Sequence, residues 1–166
     1  MKKLLPLLLA AACGAALAQG AQLDKKDREF IQKAAAGGME EVEAGKMAQD
    51  KARNPDVKSF ASMLVTDHSD ANQKLQALAQ QKGVTLPSAL PAKQQKTVDK
   101  LAKAKDFDKN FIHEQGLEDH RKDIKDFEKA SKNAKDPDVK AFAANTLPVL
   151  QKHLQRAQEL SKSVKG

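Results

Sequence analysis

Imidazole nitrogens and carboxylate oxygens together suit transition-metal ions, and this chain has only four histidines to supply the nitrogens. They are His68, His113, His120 and His153, and each falls on the apolar stripe of an amphipathic run. An unpaired imidazole or carboxylate on a buried face is costly, so each one there needs a partner or an ion. Helical periodicity predicts four long helices over about 27–53, 55–82, 108–133 and 137–162. Glu41, His68, His120 and His153 each lie within a turn of the midpoint of one helix, at about 1.5 Å of rise per residue. This levelling predicts one mononuclear metal site, with Glu40, Glu43, Asp67, His113 and Asp119 as outer candidates. His113 precedes His120 by seven residues, which puts it on the same face about 10 Å further along the axis. Asp67 and Asp119 each directly precede a histidine, so they point about 100° away and toward neighbouring helices. The same residues fit a second reading, a polar core layer that fixes helix register without an ion.

The helices that would position these side chains are marked by a duplication. Asn54-Pro55-Asp56-Val57-Lys58-Ser59-Phe60-Ala61 returns 82 positions later as Asp136-Pro137-Asp138-Val139-Lys140-Ala141-Phe142-Ala143. Upstream, Asp27-Arg28-Glu29-Phe30-Ile31 echoes Asp108-Lys109-Asn110-Phe111-Ile112 at a spacing of 81. In each Asn/Asp-Pro-Asp start, the first residue caps a helix and the proline occupies its first position, where no N–H is needed. The second helix should stop at Gly83. Asp24 or Asp27 caps the first, and Gly38 and Gly45 within it allow close approach of a neighbour. Pro148 removes one hydrogen bond from the last helix and should kink it. The stretch of about 83–106, broken by Pro87 and Pro91, is too long for a tight turn and predicts a crossover with a short helix inside it. The fold expected is all-α: a four-helix bundle of two pseudo-repeated hairpins.

Lys2 and Lys3, the apolar run Leu4 to Ala18 and the small-x-small Ala16-Leu17-Ala18 predict a signal peptide over 1–18. A short segment, 19–26, would then lead into the bundle domain, 27–166. The apolar run is short and no stop-transfer segment follows, so no membrane span is expected after cleavage. Cys13, the only cysteine, is either an inert residue of the signal core or a lipoprotein acceptor. Ala10, where such acceptors usually have Leu, argues for the first. If Cys13 is cleaved away, cysteine-based catalysis, ligation and disulfides are excluded. The formal charge is +7, spread among acidic residues, and Trp and Tyr are absent. That pattern argues against a nucleic-acid partner and leaves an acidic envelope component open as one.

The segments Gly37-Gly38-Met39-Glu40-Glu41-Val42-Glu43, Val57-Lys58-Ser59-Phe60-Ala61, Thr66-Asp67-His68 with Asn72 and Leu75, Leu86-Pro87, and Thr146-Leu147-Pro148 with His153 occur in order along the chain. Together they resemble domain of unknown function 4142, a bacterial exported family that often carries an outer-membrane-protein label. The resemblance spans nearly the whole mature chain and implies a ferritin-like four-helix bundle, with periplasmic or outer-membrane-associated localisation. It implies no established activity. Di-iron bundles of that architecture use Glu-x-x-His pairs, whereas the residues three before His68, His113, His120 and His153 are Val65, Asn110, Leu117 and Leu150. Di-iron catalysis is therefore not expected, and no hydrolase set accompanies the Asp-His pairs.

The function expected is that of an exported binding protein with a divalent or copper-type transition metal, in storage or stress protection. The alternative is a non-catalytic interaction module of the cell envelope with a histidine core layer. Histidines buried neutral would also make unfolding easier as the pH falls through about 6.

Overall fold

The computed structural model describes residues 23–164. Residues 1–18, expected to form a signal peptide, and Cys13 among them lie outside the described residues. Among those described, all regular structure is helical: α1 (Lys25–Lys51), α2 (Pro55–Gln81), α3 (Ala92–Ala102), α4 (Phe107–Phe111), a π-helical stretch (Ile112–Asp119), α5 (His120–Asn133) and α6 (Pro137–Ser163). The junctions on either side of the π-helical stretch keep helical backbone angles, so α4, the stretch and α5 form one continuous rod.

Asp24 caps α1 by accepting from the Lys26 N–H at 2.9 Å. Asn54 caps α2 with φ −76° and ψ 123°, and Asp136 caps α6 with φ −79° and ψ 126°. The side chain of each accepts the N–H two residues on. The duplicated residues thus build the same turn twice. Gly83, which follows α2, takes a left-handed φ of 63° that a side chain would resist.

Asp27 is buried and does not cap its own helix. Its Oδ2 accepts the backbone N–H groups of Lys135 and Asp136 at 3.0 and 2.8 Å, in the turn before α6. Its repeat partner Asp108 accepts from Arg53 and Asn54, with the closest approach 2.8 Å, in the turn before α2. Each hairpin therefore ties down the turn of the other. These turn N–H groups would otherwise lack partners.

α1 packs along α2, and α5 along α6; α6 also meets α2 and the π-helical stretch, while α3 lies on α1. Gly45 is needed for the first pairing, since a Cβ there would sit 2.8 Å from Val65 Cγ2 and 3.2 Å from the Ala61 carbonyl oxygen. Gly38 likewise lies hard against Asn72. The chain continues in helix through Pro148. The apolar core falls into two main groups. One gathers Ala44, Val57, Phe60, Leu64, Phe111 and Leu160 near the first turn. The other gathers Ile31, Leu75, Leu78 and Val139 near the second. Glu41, His68, His120 and His153 lie between them in sequence on their respective helices, and all four are buried.

The π-helical stretch corrects one expectation. His113 is exposed, its side chain 61% accessible, and not on the buried stripe. A π turn holds more residues than an α turn because its bonds run i to i+5, so a seven-residue step no longer returns to the same face. The repeat spacing records the cause. Ile31 and Ile112 are 81 positions apart, but Ala52 and Ala134, which close the two rods, are 82 apart. The second copy carries one extra residue, and the widened turns absorb it.

Candidate metal centre

Three helical rods deliver the histidines: α2 brings His68, α5 begins with His120, and α6 brings His153. Their ring centroids stand 5.1 to 5.6 Å apart. One nitrogen from each ring can be chosen so that all three lie within 4.8 Å of one another.

The other nitrogen of each ring is held from outside. His120 Nδ1 lies 2.7 Å from the Gln115 carbonyl oxygen, an i to i+5 reach across the π-helical stretch. His153 Nε2 lies 2.8 Å from Asp67 Oδ2. His68 Nδ1 lies 3.0 Å from Glu41 Oε2. All three partners are acceptors if the two carboxylates are ionised, so each of these nitrogens carries the proton. That leaves His68 Nε2, His120 Nε2 and His153 Nδ1 bare. The last two are 3.1 Å apart, and His68 Nε2 is buried with no hydrogen-bond partner among the described residues.

Proton counting exposes a conflict in the metal-free network. The line from the Gln115 carbonyl through His120 and His153 to Asp67 has three contacts, and two neutral imidazoles carry only two N–H groups. The contact between the rings is left as two facing lone pairs unless a further proton is bound. Burial opposes that proton on the rings, pushing His68, His120 and His153 down to about 4. A cation between the bare nitrogens removes the conflict. Ring nitrogens bound tetrahedrally at about 2.0–2.1 Å stand roughly 3.3–3.4 Å apart, close to the 3.1 Å spacing of His120 and His153. Neutral imidazoles with the far nitrogen anchored to carboxylate or carbonyl are the usual surroundings of a histidine-bound metal. The residues present therefore fit such an ion.

The outer candidates separate. Asp67 crosses to the neighbouring α6, as its position suggested. Glu40 is buried and accepts from Gln115 Nε2 at 3.4 Å, and the same amide donates to Asp119 Oδ2 at 3.0 Å. Glu40 and Asp119 thus brace Gln115, whose backbone orients His120. Burial raises both carboxyls, Glu40 to about 6. Glu43 is exposed and paired with Lys46 at 3.2 Å, and His113 faces away; neither belongs to the cluster. Two nearby residues were not anticipated. One is Gln115, which only the π-helical geometry brings in. The other is Asp123, which shares a small void with Glu41 and His68. Burial raises both Asp123 and Glu41 to about 7. The sequence did contain a signal for Asp123: it lies 82 positions after Glu41, the spacing of the two turns.

On one side the cluster meets a cavity of about 380 Å³, lined by Asp67, His68, Leu150 and His153 among others. Among the described residues, no helix is long and apolar enough to cross a membrane.

Fold and site together define an all-helical protein with a buried polar centre. The chain belongs to the family described as a domain of unknown function, DUF4142, whose profile matches residues 12–160. CopM in its Cu(I)-bound form is similar in fold, with a TM-score of 0.71 at 20% identity over 84% of this chain and 98% of that one. CopM in its Cu(II)-bound form gives 0.67 at 17% identity, covering 82% and 96%. A DUF305 fragment from Deinococcus radiodurans gives 0.73 at 10% identity, covering 85% and 98%. No curated protein matches the sequence.

Proposed function

We propose that this protein is an exported, ferritin-like four-helix bundle of two pseudo-repeated hairpins that holds one transition-metal ion, copper in the first instance. The observation that carries this is the set of bare nitrogens on His68, His120 and His153, each backed by an anchored N–H on the same ring. Nitrogen donors of this kind bind Cu(II) more strongly than Zn(II) or Ni(II). The choice of copper is supported by the likeness in fold to CopM, known in Cu(I), Cu(II) and silver forms. Bound there, the ion would supply a positive charge that three neutral ligands leave available, which suits holding it in storage or stress protection. Glu41, Asp67 and the Gln115 carbonyl orient the ligands.

The test is copper titration of the mature protein against a chromophoric chelator. One copper per chain is expected, with at least tenfold weaker binding in His68→Ala, His120→Ala and His153→Ala. Wild-type protein that takes up no copper at micromolar concentrations would sink the reading. It would favour a second reading, a structural histidine layer in an envelope interaction module. The 3.1 Å contact between His120 and His153, which can be a direct hydrogen bond in a singly protonated network, supports that alternative.

A further inference from the structure

We propose that the cavity between α2 and α6 is the port through which a metal ion, free or as a small chelate, enters and leaves the three histidines. The proposal rests on the three-histidine reading and adds a route to it. His120 and His153 are fully enclosed, and His68 is 6% exposed. An ion that reaches their nitrogens must therefore pass between packed helices.

The directions of approach differ. Toward α1 the cluster is backed by buried Glu40 and Glu41, and toward the π-helical stretch by buried Gln115. Phe60 and Leu64 close the core on the side of the first turn, and Ile31 and Leu75 on the side of the second. The seam of α2 with α6 is less closely packed than that of α5 with α6, and it contains the cavity of about 380 Å³. Buried His68 and His153 lie at its base, and exposed Asp70, Lys74 and Asn145 at its rim. Half-buried Phe142 and Val149 stand between them. The cavity thus runs from solvent to two of the three rings. Its size is that of a small-molecule pocket, about 300–1,000 Å³, enough for an ion with its water shell or for an amino-acid-sized chelate.

Asp67 gives the route its chemistry. It lies in the cavity wall with its side chain 33% exposed, and its Oδ2 holds His153 Nε2 at 2.8 Å. A carboxylate has two oxygens, so one can meet an incoming cation while the other keeps the ring in place. Asp67 and Asp70 outweigh Lys74 by one negative charge, which favours a cation at this face.

The test is stopped-flow transfer of copper between a small chromophoric chelator and the mature protein, followed in both directions. Val149→Phe narrows the cavity midway, and Asn145→Trp covers its rim. Each should slow uptake and release alike by at least tenfold and leave the equilibrium affinity within about twofold of wild type. Ala144→Trp, at an exposed neighbour outside the cavity, should change neither. Filled variants that exchange as fast as wild type overturn the proposal. Variants that lose affinity as steeply as rate also overturn it, because those residues would then belong to the site itself. Labelling of metal-free protein with diethyl pyrocarbonate, read by mass spectrometry, needs no copper. Exposed His113 should label equally in every variant, and His68 and His153 more slowly in the two filled variants than in wild type. If wild type binds no copper, the three-histidine reading falls. Labelling that still responds to the filling then supports the cavity as the way in, and labelling that ignores it overturns the port as well.

Discussion

The first hairpin, α1 with α2, and the second, the α4-to-α5 rod with α6, share their ends and differ in their middles. Their caps agree within a few degrees, and Asp27 and Asp108 tie down each other's turns. At the level of the polar layer the equivalence fails. His68 corresponds to Leu150, and His153 to Ala71. Only Glu41 and Asp123 remain equivalent in chemistry. The second hairpin supplies two of the three imidazoles and the first supplies one. The repeat thus sets the frame and a carboxylate pair, while the nitrogen donors break the symmetry. Such a layout suits one off-axis nitrogen site better than a pair of matched metal positions.

The two turn clamps allow this comparison to be broken selectively. Asp27 is 3% exposed, whereas Asp108 is only half-buried. Hydrogen bonds to a charged acceptor contribute about 1.5–3 kcal/mol each, more where removal strands buried donors. Asp27→Ala should therefore cost about 3 kcal/mol in urea unfolding, and Asp108→Ala about 1–2 kcal/mol. Equal losses would mean that the two turns are held alike despite the difference in burial.

The asymmetric ligands give the next effect. Asp67→Asn replaces the acceptor behind His153 and should weaken copper about 10–100-fold, the usual cost of losing such a support. Asn145→Ala, which alters the same cavity away from the rings, should leave affinity unchanged.

The pH response sharpens the role of the carboxylate pair. The rings, pushed down to about 4 when folded, contribute stability that is full above the unfolded value of about 6.5 and lost as pH falls toward 4. Glu41 and Asp123, raised to about 7, Glu40, raised to about 6, and Asp119, raised by its burial as well, act in the opposite sense. Their contribution is present at low pH and lost as pH rises through those values. The raised carboxyls oppose the lowered rings, so metal-free wild type should be nearly flat from about pH 5 to 6.5, not acid-labile as the histidines alone would imply. Asp123→Asn removes one opposing group and should fall by about 1.4 kcal/mol per pH unit on acidification in that window. The smallest effect belongs to the matched caps. Asn54→Ala should cost about 1 kcal/mol, and Asp136→Ala somewhat more, because Asp136 also accepts the Val139 N–H at 3.2 Å and pairs with Lys82 at 2.8 Å.

The helix starts could be read directly from the sequence because Asn/Asp-Pro-Asp is a local device whose capping chemistry needs no distant partner. The levels of Glu41, His68, His120 and His153 could also be read, because rise along a helix is fixed. Rotation about the rod was lost at the π-helical stretch, where one extra residue turned His113 outward and put Gln115 behind His120. Both spacings, 81 and 82, were visible in the sequence; that their difference was a widened turn is a property of backbone hydrogen bonding that side-chain periodicity does not report. Asp123 escaped because an isolated aspartate among charged neighbours looks like a solvated face. Asp27, which looks like a cap, instead spans the molecule, a contact that depends on how the two hairpins dock.

The central claim, that His68, His120 and His153 hold one ion together, is tested most directly by X-ray absorption at the copper edge of the one-copper form. The account predicts a first shell with three imidazole nitrogens at about 2.0 Å, a typical metal–nitrogen distance, that falls to two in His153→Ala. A shell of oxygen or sulfur without imidazole scattering, or one unchanged in that variant, would contradict it.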